Sequence, residues 1–226
     1  MVGLLFPGQG SQFVGMGKDL AERYDDAARV FERADEALGV ALSKVMWEGP
    51  EEELTATHNA QPAILTHSVA ALAVLGDRLP NAAFAAGHSL GEFTAHVAAG
   101  TLPFEDAVRA VRRRGELMYR AGQERPGTMA AILGLDDAAL EDVCRAAEEE
   151  GGDCVPANFN APGQVVISGD EGAVKRAMQL AKEAGARRAL PLNVSGAFHS
   201  PLMAAAEDGL RAHLEAVEFS DPVVPV

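Results

Sequence analysis

Two cysteines, one tryptophan and two tyrosines are all that 226 residues hold of those three types. Cys144 and Cys154 are too few for a disulfide framework; ten positions apart, they read as a pair of reduced thiols of the kind kept in the cytosol. Basic residues are also scarce: 19 Lys and Arg face 33 Asp and Glu, for a net charge of −14. A surface this acidic repels a phosphate backbone unless its few cations cluster, which argues against nucleic-acid and anionic-membrane binding. Long apolar runs are missing as well. The longest, residues 69–75, falls far short of the roughly 20 residues that a membrane span needs. The N-terminus has no basic leader and reaches Pro7 too early for a signal peptide. No His, Cys, Asp or Glu cluster has metal-ligand spacing, and no carboxylate pair stands out. A soluble, cytoplasmic chain with no cofactor is expected, working as a monomer.

What is present is alternation. Residues 2–6 form a short apolar run ended by Pro7-Gly8, which suits a buried strand and a tight loop. Residues 12–39 carry apolar positions at helical spacing, stopped by Gly39. Residues 61–75 predict a nearly all-apolar, central helix with Pro62 in its first turn. A second strand over 82–86 leads into a helix over 90–99, and residues 104–121 make an amphipathic helix with a Phe104, Ala107, Val108, Val111, Gly115, Met118 stripe. Strands alternating with helices point to a parallel sheet covered on both faces. After Gly122 the order becomes β-α-β-β-α-β, with a hairpin turn at Asn160-Ala161-Pro162-Gly163. That order is the ferredoxin-like split βαβ unit. The expected fold is therefore α/β: a parallel-sheet, hydrolase-like large domain over 1–124 and 194–226, with a ferredoxin-like small subdomain inserted over 125–193.

The strongest local signal is Gly87-His88-Ser89-Leu90-Gly91, a G-x-S-x-G pattern between a predicted strand and a predicted helix. A sharp strand-to-helix turn exposes the serine hydroxyl, and the glycines let the backbone fold without a Cβ clash. The helix start then offers the Leu90 N–H to a developing oxyanion. Such a serine needs a base. Of the six histidines, His88 adjoins the serine and points elsewhere, and His96 lies about two turns along the same helix. His58 suits a helix cap, His67 sits inside an apolar helix, and His213 falls in a mixed, solvated one. His199 differs, sitting in the small-residue loop Ser195-Gly196-Ala197-Phe198-His199-Ser200. It reads either as the base or as a hydrogen-bonded loop histidine.

Pro7-Gly8-Gln9-Gly10-Ser11-Gln12 has the Gly-x-Gly of a dinucleotide loop, but Phe13 stands where the third glycine belongs and no Walker lysine follows. It is either a loop that brings a donor near the serine or simply a tight turn. In Arg112-Arg113-Arg114, a helical wheel places Arg113 about 180° from Phe104, in solvent, with the other two flanking the apolar stripe. Arg114 lies closer to Ala107 and is the better placed to reach inward, where a guanidinium binds a carboxylate in bidentate fashion. The plain alternative is three solvated arginines near a helix end.

Taken together, Phe6-Pro7-Gly8-Gln9-Gly10-Ser11-Gln12, Gly87-His88-Ser89-Leu90-Gly91-Glu92, Arg113-Arg114-Gly115, Asn158-Phe159-Asn160-Ala161-Pro162-Gly163-Gln164 and Gly196-Ala197-Phe198-His199-Ser200 resemble, in this order, the malonyl-CoA:acyl carrier protein transacylases of fatty acid synthesis and the acyltransferase domains of polyketide synthases. The resemblance runs over the whole chain. It implies that Ser89 carries the malonyl group as an ester, with His199 as its base. Gln9 and the Leu90 N–H would form the oxyanion hole. Arg114 would pair with the malonate carboxylate, Asn160 would line the cleft near His199 or the pantetheine, and Phe198 would leave no room for an α-methyl group. The implied partners are malonyl-CoA and an acyl carrier protein bearing the phosphopantetheine. Relatives continue past the Pro-Val-Val-Pro-Val strand with further large-domain elements, one of which orients the histidine; on this reading the C-terminal part of the large domain is missing.

Two other readings compete. A serine hydrolase or thioesterase could use the same turn, but it lacks an acid between Ser89 and His199 in the usual order and leaves Arg114 idle; a patatin-like pairing with Asp208 is a weaker form of it. An inactive carrier-binding fragment is the other. Carrier proteins are usually acidic, so docking calls for a basic patch, for which Lys175, Arg176, Lys182, Arg187 and Arg188 are the subdomain's cations.

Overall fold

The first strand forms where five residues without a charge meet Pro7, which cannot continue a ladder. The computed structural model describes residues 2–226. In it β1 (Val2–Phe6) runs parallel to β2 (Ala82–Gly87), with Gly3 opposite Phe84 and Phe6 opposite Gly87. Phe6, Ala85 and the partly buried Leu4 pack with Ala95 on one face. On the other, Leu5 is 75% and Phe84 45% exposed. The parallel sheet expected to be covered on both faces is thus two-stranded and covered on one face among the described residues. Residues 222–226, expected as a strand, are not one. Ala85 N–H donates to Pro225 O at 2.8 Å, but Pro222 and Pro225 have no N–H with which to run a ladder.

Between the two strands lie α1 (Lys18–Arg23), α2 (Asp25–Leu38), α3 (Leu42–Glu48), α4 (Glu51–Thr55) and α5 (Thr57–Leu75). The single helix expected over 12–39 is two, because Tyr24 is extended (φ −136°) and Gly15 and Gly17 hold positive φ ahead of α1. After β2 come α6 (Gly91–Ala98) and α7 (Phe104–Glu124). Val30 and Phe31 of α2, Leu42 and Met46 of α3, Ile64 and Leu65 of α5, and Phe104, Val108 and Val111 of α7 share one core. Phe31 meets the chain's single tryptophan, Trp47, edge to face at 5.4 Å.

Helix α5 is central and buried, as its composition predicts, but it starts at Thr57, so Pro62 is interior rather than in the first turn. An interior proline cannot donate to the carbonyl four residues back. Here that carbonyl belongs to His58, and Arg112 Nη1 of α7 donates to it at 3.3 Å. Arg112 also bonds Asn59 Oδ1 and, through Nε, Glu116 Oε1 at 3.0 Å. A side chain from another helix therefore compensates the break, a partner no local pattern could reveal.

The elements up to Glu116, with Leu210–Val226, make one compact unit; Leu117–Gly209 makes a second, the division falling within α7. The second unit holds β3 (Thr128–Leu133), α8 (Asp137–Glu148), β4 (Cys154–Ala161), β5 (Gln164–Gly169), α9 (Glu171–Glu183) and β6 (Arg188–Pro191), followed by the start of α10 (Ala204–Leu214). Its strands lie in the order β4-β5-β3-β6, each pair antiparallel. Ala130, Ile132, Val165 and Ile167 of the strands pack with Leu140 and Val143 of α8 and Val174 and Ala177 of α9. Asp136 caps α8 by accepting from Ala139 N–H at 2.9 Å. The turn is tighter than expected: β4 runs on to Ala161, with the register shifting between Phe159 and Ala161, so Asn160 sits in a bulge and Pro162-Gly163 alone turn the chain. Cys144 and Cys154 are buried free thiols with sulfurs 3.9 Å apart, and the neighbouring thiol and burial together push Cys154 up.

Replacing Arg112 with Met keeps much of its stem but removes the hydrogen bond to the His58 carbonyl. The variant is expected to lose about 1–3 kcal/mol of stability, measured by Trp47 fluorescence in urea. Arg113→Met, at an exposed pair with Glu116, should be nearly neutral.

Candidate active site

The turn after β2 is tight. A Cβ on Gly87 would lie 1.8 Å from Gly91 C, and one on Gly91 would lie 2.4 Å from Phe6 O. Both glycines of the G-x-S-x-G pattern are therefore required by close backbone approach. Ser89 between them holds φ +55°, a left-handed conformation that non-glycine residues rarely adopt. The turn is closed by His88 N–H to Phe6 O at 3.0 Å, Gly91 N–H to His88 O at 3.0 Å and Glu92 N–H to Ser89 O at 3.1 Å. Leu90, 1% exposed, is the N-cap of α6. The loop after β1 rests on the same turn, since a Cβ on Gly8 would meet His88 Nδ1 at 2.5 Å. That loop is braced by Ser11 Oγ donating to Gly8 O and Gly10 N–H donating to Gln12 Oε1.

Arg114 reaches inward, as the wheel predicts. Its Nη2 donates to Ser89 Oγ at 2.9 Å and its Nη1 to Gln61 Oε1 at 2.8 Å. Both hydrogen bonds end on neutral oxygens. Among the described residues, Glu92 is the carboxylate that acts on it, and it does so through space rather than by an ion pair. Desolvation pushes the guanidinium down to about 10, so it stays cationic at neutral pH without a counter-ion. Gly115 makes this reach short: a Cβ there would stand 2.5 Å from His58 Cα and 2.7 Å from Thr57 O, so α7 and α5 touch backbone to backbone.

Two polar residues of this cluster escaped the sequence reading. Gln61 is 0% and Thr57 1% exposed. Gln61 Nε2 donates to Thr57 Oγ1 at 3.0 Å, and Thr57 Oγ1 donates to Gln9 Oε1 at 2.8 Å. Their signal was there: hydrogen-bonding side chains at i and i+4 at the start of a mostly apolar helix. The structure thus brings Gln9, Arg114 and Ser89 into one hydrogen-bonded cluster in the first unit.

His199 lies in the second unit, an exposed residue in a mostly buried loop, and shares with Ser89 a rare feature, positive φ without being glycine, here +58°. Its loop is held by Ser200 Oγ donating to Ala197 O at 2.7 Å and by the buried Ala197 and Phe198. Gly122 and Gly127 permit the packing: a Cβ on the first would meet Ser195 O at 2.6 Å, and on the second Ala197 Cβ at 2.7 Å. Asn160 is exposed on its bulge. Of the other histidines, burial pushes His58 and His67 down, with Arg112 adding to the effect at His58, so both favour the neutral ring. His58 sits in the first turn of α5 rather than ahead of it.

A family model described as "Acyl transferase domain" matches residues 4–226. The chain belongs to that acyl transferase family. Among curated relatives, the malonyl CoA-acyl carrier protein transacylase of Bacillus subtilis is 52% identical over 225 residues, spanning 100% of this chain and 71% of the relative. The enzyme of that name from Escherichia coli K12 is 49% identical over 98% of this chain and 72% of its own length. Among solved structures, an acyl carrier protein S-malonyltransferase from Vibrio cholerae matches at a TM-score of 0.95 and 47% identity, covering 100% of this chain and 74% of that one. The α/β fold is shared with these structures.

Gly115→Ala would force α5 and α7 apart at two backbone contacts. Overpacking of this kind costs about 1–3 kcal/mol, seen as a lower Tm. Misplacing Arg114 against Ser89 should slow acyl transfer on the order of 100-fold, whereas Gly39→Ala, at a site with open space, should leave the transfer rate unchanged.

Proposed function

We propose that this acyltransferase moves a malonyl group from malonyl-CoA to the phosphopantetheine thiol of an acyl carrier protein. The observation that carries the reading is the Arg114 guanidinium, which has only neutral hydrogen-bond partners and lies 2.9 Å from Ser89 Oγ. A cation left without a counter-ion beside a nucleophile suits an acyl group that brings its own carboxylate. An acetyl group offers none. The names of the relatives and one further neighbour support the same reading. That neighbour, 44% identical with a TM-score of 0.95, is a type II PKS acyl-carrier protein in complex with its malonyl-transacylase.

The chemistry proceeds in two acyl transfers. Ser89 Oγ attacks the malonyl thioester carbonyl, and His199 takes the serine proton. The C–S bond breaks, the CoA thiolate leaves as the thiol with that proton, and malonyl-Ser89 remains. The carrier's pantetheine thiol then gives its proton to His199 and attacks the ester, and Ser89 Oγ leaves as the hydroxyl. The backbone N–H groups of Gln9 and Leu90 serve as oxyanion donors in both steps. Phe198 restricts the space beside the malonyl α-carbon, and Asn160 lines the path of the pantetheine. No cofactor takes part.

The finer fold assignment follows the same reading: a hydrolase-like large domain over 1–124 and 194–226, and a ferredoxin-like subdomain over 125–193, which the β-α-β-β-α-β order and the strand order β4-β5-β3-β6 support. An acidic carrier would dock through the subdomain's cations. Arg176 is already committed to Ala147 O and to Glu150 at 3.7 Å, which leaves Lys175, Lys182, Arg187 and Arg188 as the docking set. The enzyme works as a cytoplasmic monomer; no described helix is long and apolar enough to cross a membrane.

Intact-mass spectrometry after incubation with malonyl-CoA should show a single malonyl adduct that Ser89→Ala abolishes. Added carrier protein should receive it far faster than free malonate appears; equal or faster hydrolysis would reject the transferase in favour of a hydrolase. Arg114→Ala should lower kcat/KM for malonyl-CoA on the order of 100-fold while acetyl-CoA loading persists. An unchanged malonyl preference would remove Arg114 from the site.

A further inference from the structure

The hydrogen bonds around Arg114 have a direction, and the cation sets it. A guanidinium can only donate. Gln61 must therefore present its amide oxygen to Arg114 Nη1, which turns its amide nitrogen toward Thr57 Oγ1 at 3.0 Å. With its oxygen accepting from Gln61, the Thr57 hydroxyl has one proton to pass on, and it passes it to Gln9 Oε1 at 2.8 Å. The chain of donors thus runs one way, from Arg114 through Gln61 and Thr57 to Gln9. Its two middle members are 0% and 1% exposed, so water does not readily replace a lost link.

Thr57 is the hinge of this chain because a hydroxyl alone, among small side chains, both accepts and donates through one atom. On one side it fixes the amide of Gln61, which holds Arg114. On the other it ties the loop after β1, braced within itself at Gly8–Ser11 and Gly10–Gln12, to helix α5 through the exposed Gln9.

We propose that Thr57 is a positioning residue for acyl transfer, which holds the acid-recognising Arg114 and the Gln9 loop in register through one hydroxyl. This inference rests on the malonyl reading above. It separates two effects: the Gln61 side governs the preference for an acyl group bearing a carboxylate, and the Gln9 side governs the acylation rate for any acyl group.

The test compares Thr57→Val, which keeps the shape and removes the hydroxyl, with Thr57→Ser, which keeps the hydroxyl. Loading of Ser89 from malonyl-CoA and from acetyl-CoA is followed by intact mass, beside Tm. Thr57→Val should slow malonyl loading on the order of 10- to 100-fold and lower the malonyl-over-acetyl preference, and Thr57→Ser should restore both. Gln9→Met cuts only the outer link at an exposed residue, and should slow loading from both thioesters while leaving the preference intact. A Thr57→Val enzyme with wild-type rate and preference overturns the proposal, as does a Thr57→Ser enzyme as impaired as Thr57→Val. If Thr57→Val does not fold, unchanged loading by Gln9→Met overturns it instead. The wild-type chain must first form the malonyl adduct. Without that adduct the malonyl reading and this inference both fall; with it, wild-type behaviour of Thr57→Val rejects the inference alone.

Discussion

A guanidinium deprived of much of its water, with no carboxylate to replace it, is the constraint on which the first unit depends. Arg114 donates to Gln61 and to Ser89, and desolvation holds it down to about 10. Neutral acceptors stabilise a charged donor by only about 1.5–3 kcal/mol each, against the several kcal/mol that an ion loses on leaving water. On the malonyl proposal, the carboxylate of the acyl group supplies the missing anion. At an effective dielectric near 20, a carboxylate about 4 Å away would gain on the order of 4 kcal/mol, enough to distinguish an acyl group that carries one from an acyl group that does not. The fold bears the cost of keeping the cation in place. Gly115 lets α7 touch α5, the Thr57–Gln61 turn of α5 supplies the acceptor, and Arg112 repairs the carbonyl that Pro62 leaves open in that same turn.

A second cost is local. Ser89 and His199 both hold left-handed φ values without being glycine, at about 1–3 kcal/mol each. Such strain persists only where the surroundings allow no alternative. Around Ser89 they allow none, because Gly87 and Gly91 approach backbone atoms too closely for any Cβ, and three backbone bonds close the turn. Around His199, the Ser200 bond to Ala197 O and the buried Ala197 and Phe198 do the same. Rigid turns of this sort hold a side chain with little conformational freedom left to lose.

How much of this the sequence reveals follows from the range of each interaction. Strands β1 and β2, helix α7 and the order of elements in the second unit are legible because apolar period is a property of neighbours. The tight turn at Ser89 is legible for the same reason, since its glycines and serine are neighbours in sequence. Helix α5 is misjudged at its start because the residue that repairs Pro62 is Arg112, on another helix. Residues 12–17 are misjudged because Gly15 and Gly17 adopt positive φ, and at Gly17 packing adds to this: a Cβ there would strike Phe31 at 2.5 Å. Thr57 and Gln61 go unseen because a mostly apolar helix invites a reading of its bulk, whereas most fully buried amides and hydroxyls have hydrogen-bond partners, as these two do. In an apolar helix the polar exceptions carry more information than the rule.

The arginine triplet shows how little sequence separates structure from chemistry. Three identical side chains in succession differ by about 100° each around the helix, and that angle alone divides their roles. Arg113 points to water, where its contact with Glu116 at 3.8 Å is worth little. Arg112 turns to one flank and satisfies backbone and Asn59. Arg114 turns to the other and meets the Ser89 hydroxyl. Arg112 and Arg114 depend on the same N-terminal end of α5, one by the His58 carbonyl and the other by the Gln61 amide, so Arg112 stabilises the segment from which Arg114 is held. A change at Arg112 should therefore propagate to Arg114 through Thr57 and Gln61, even though no hydrogen bond joins the two guanidinium groups.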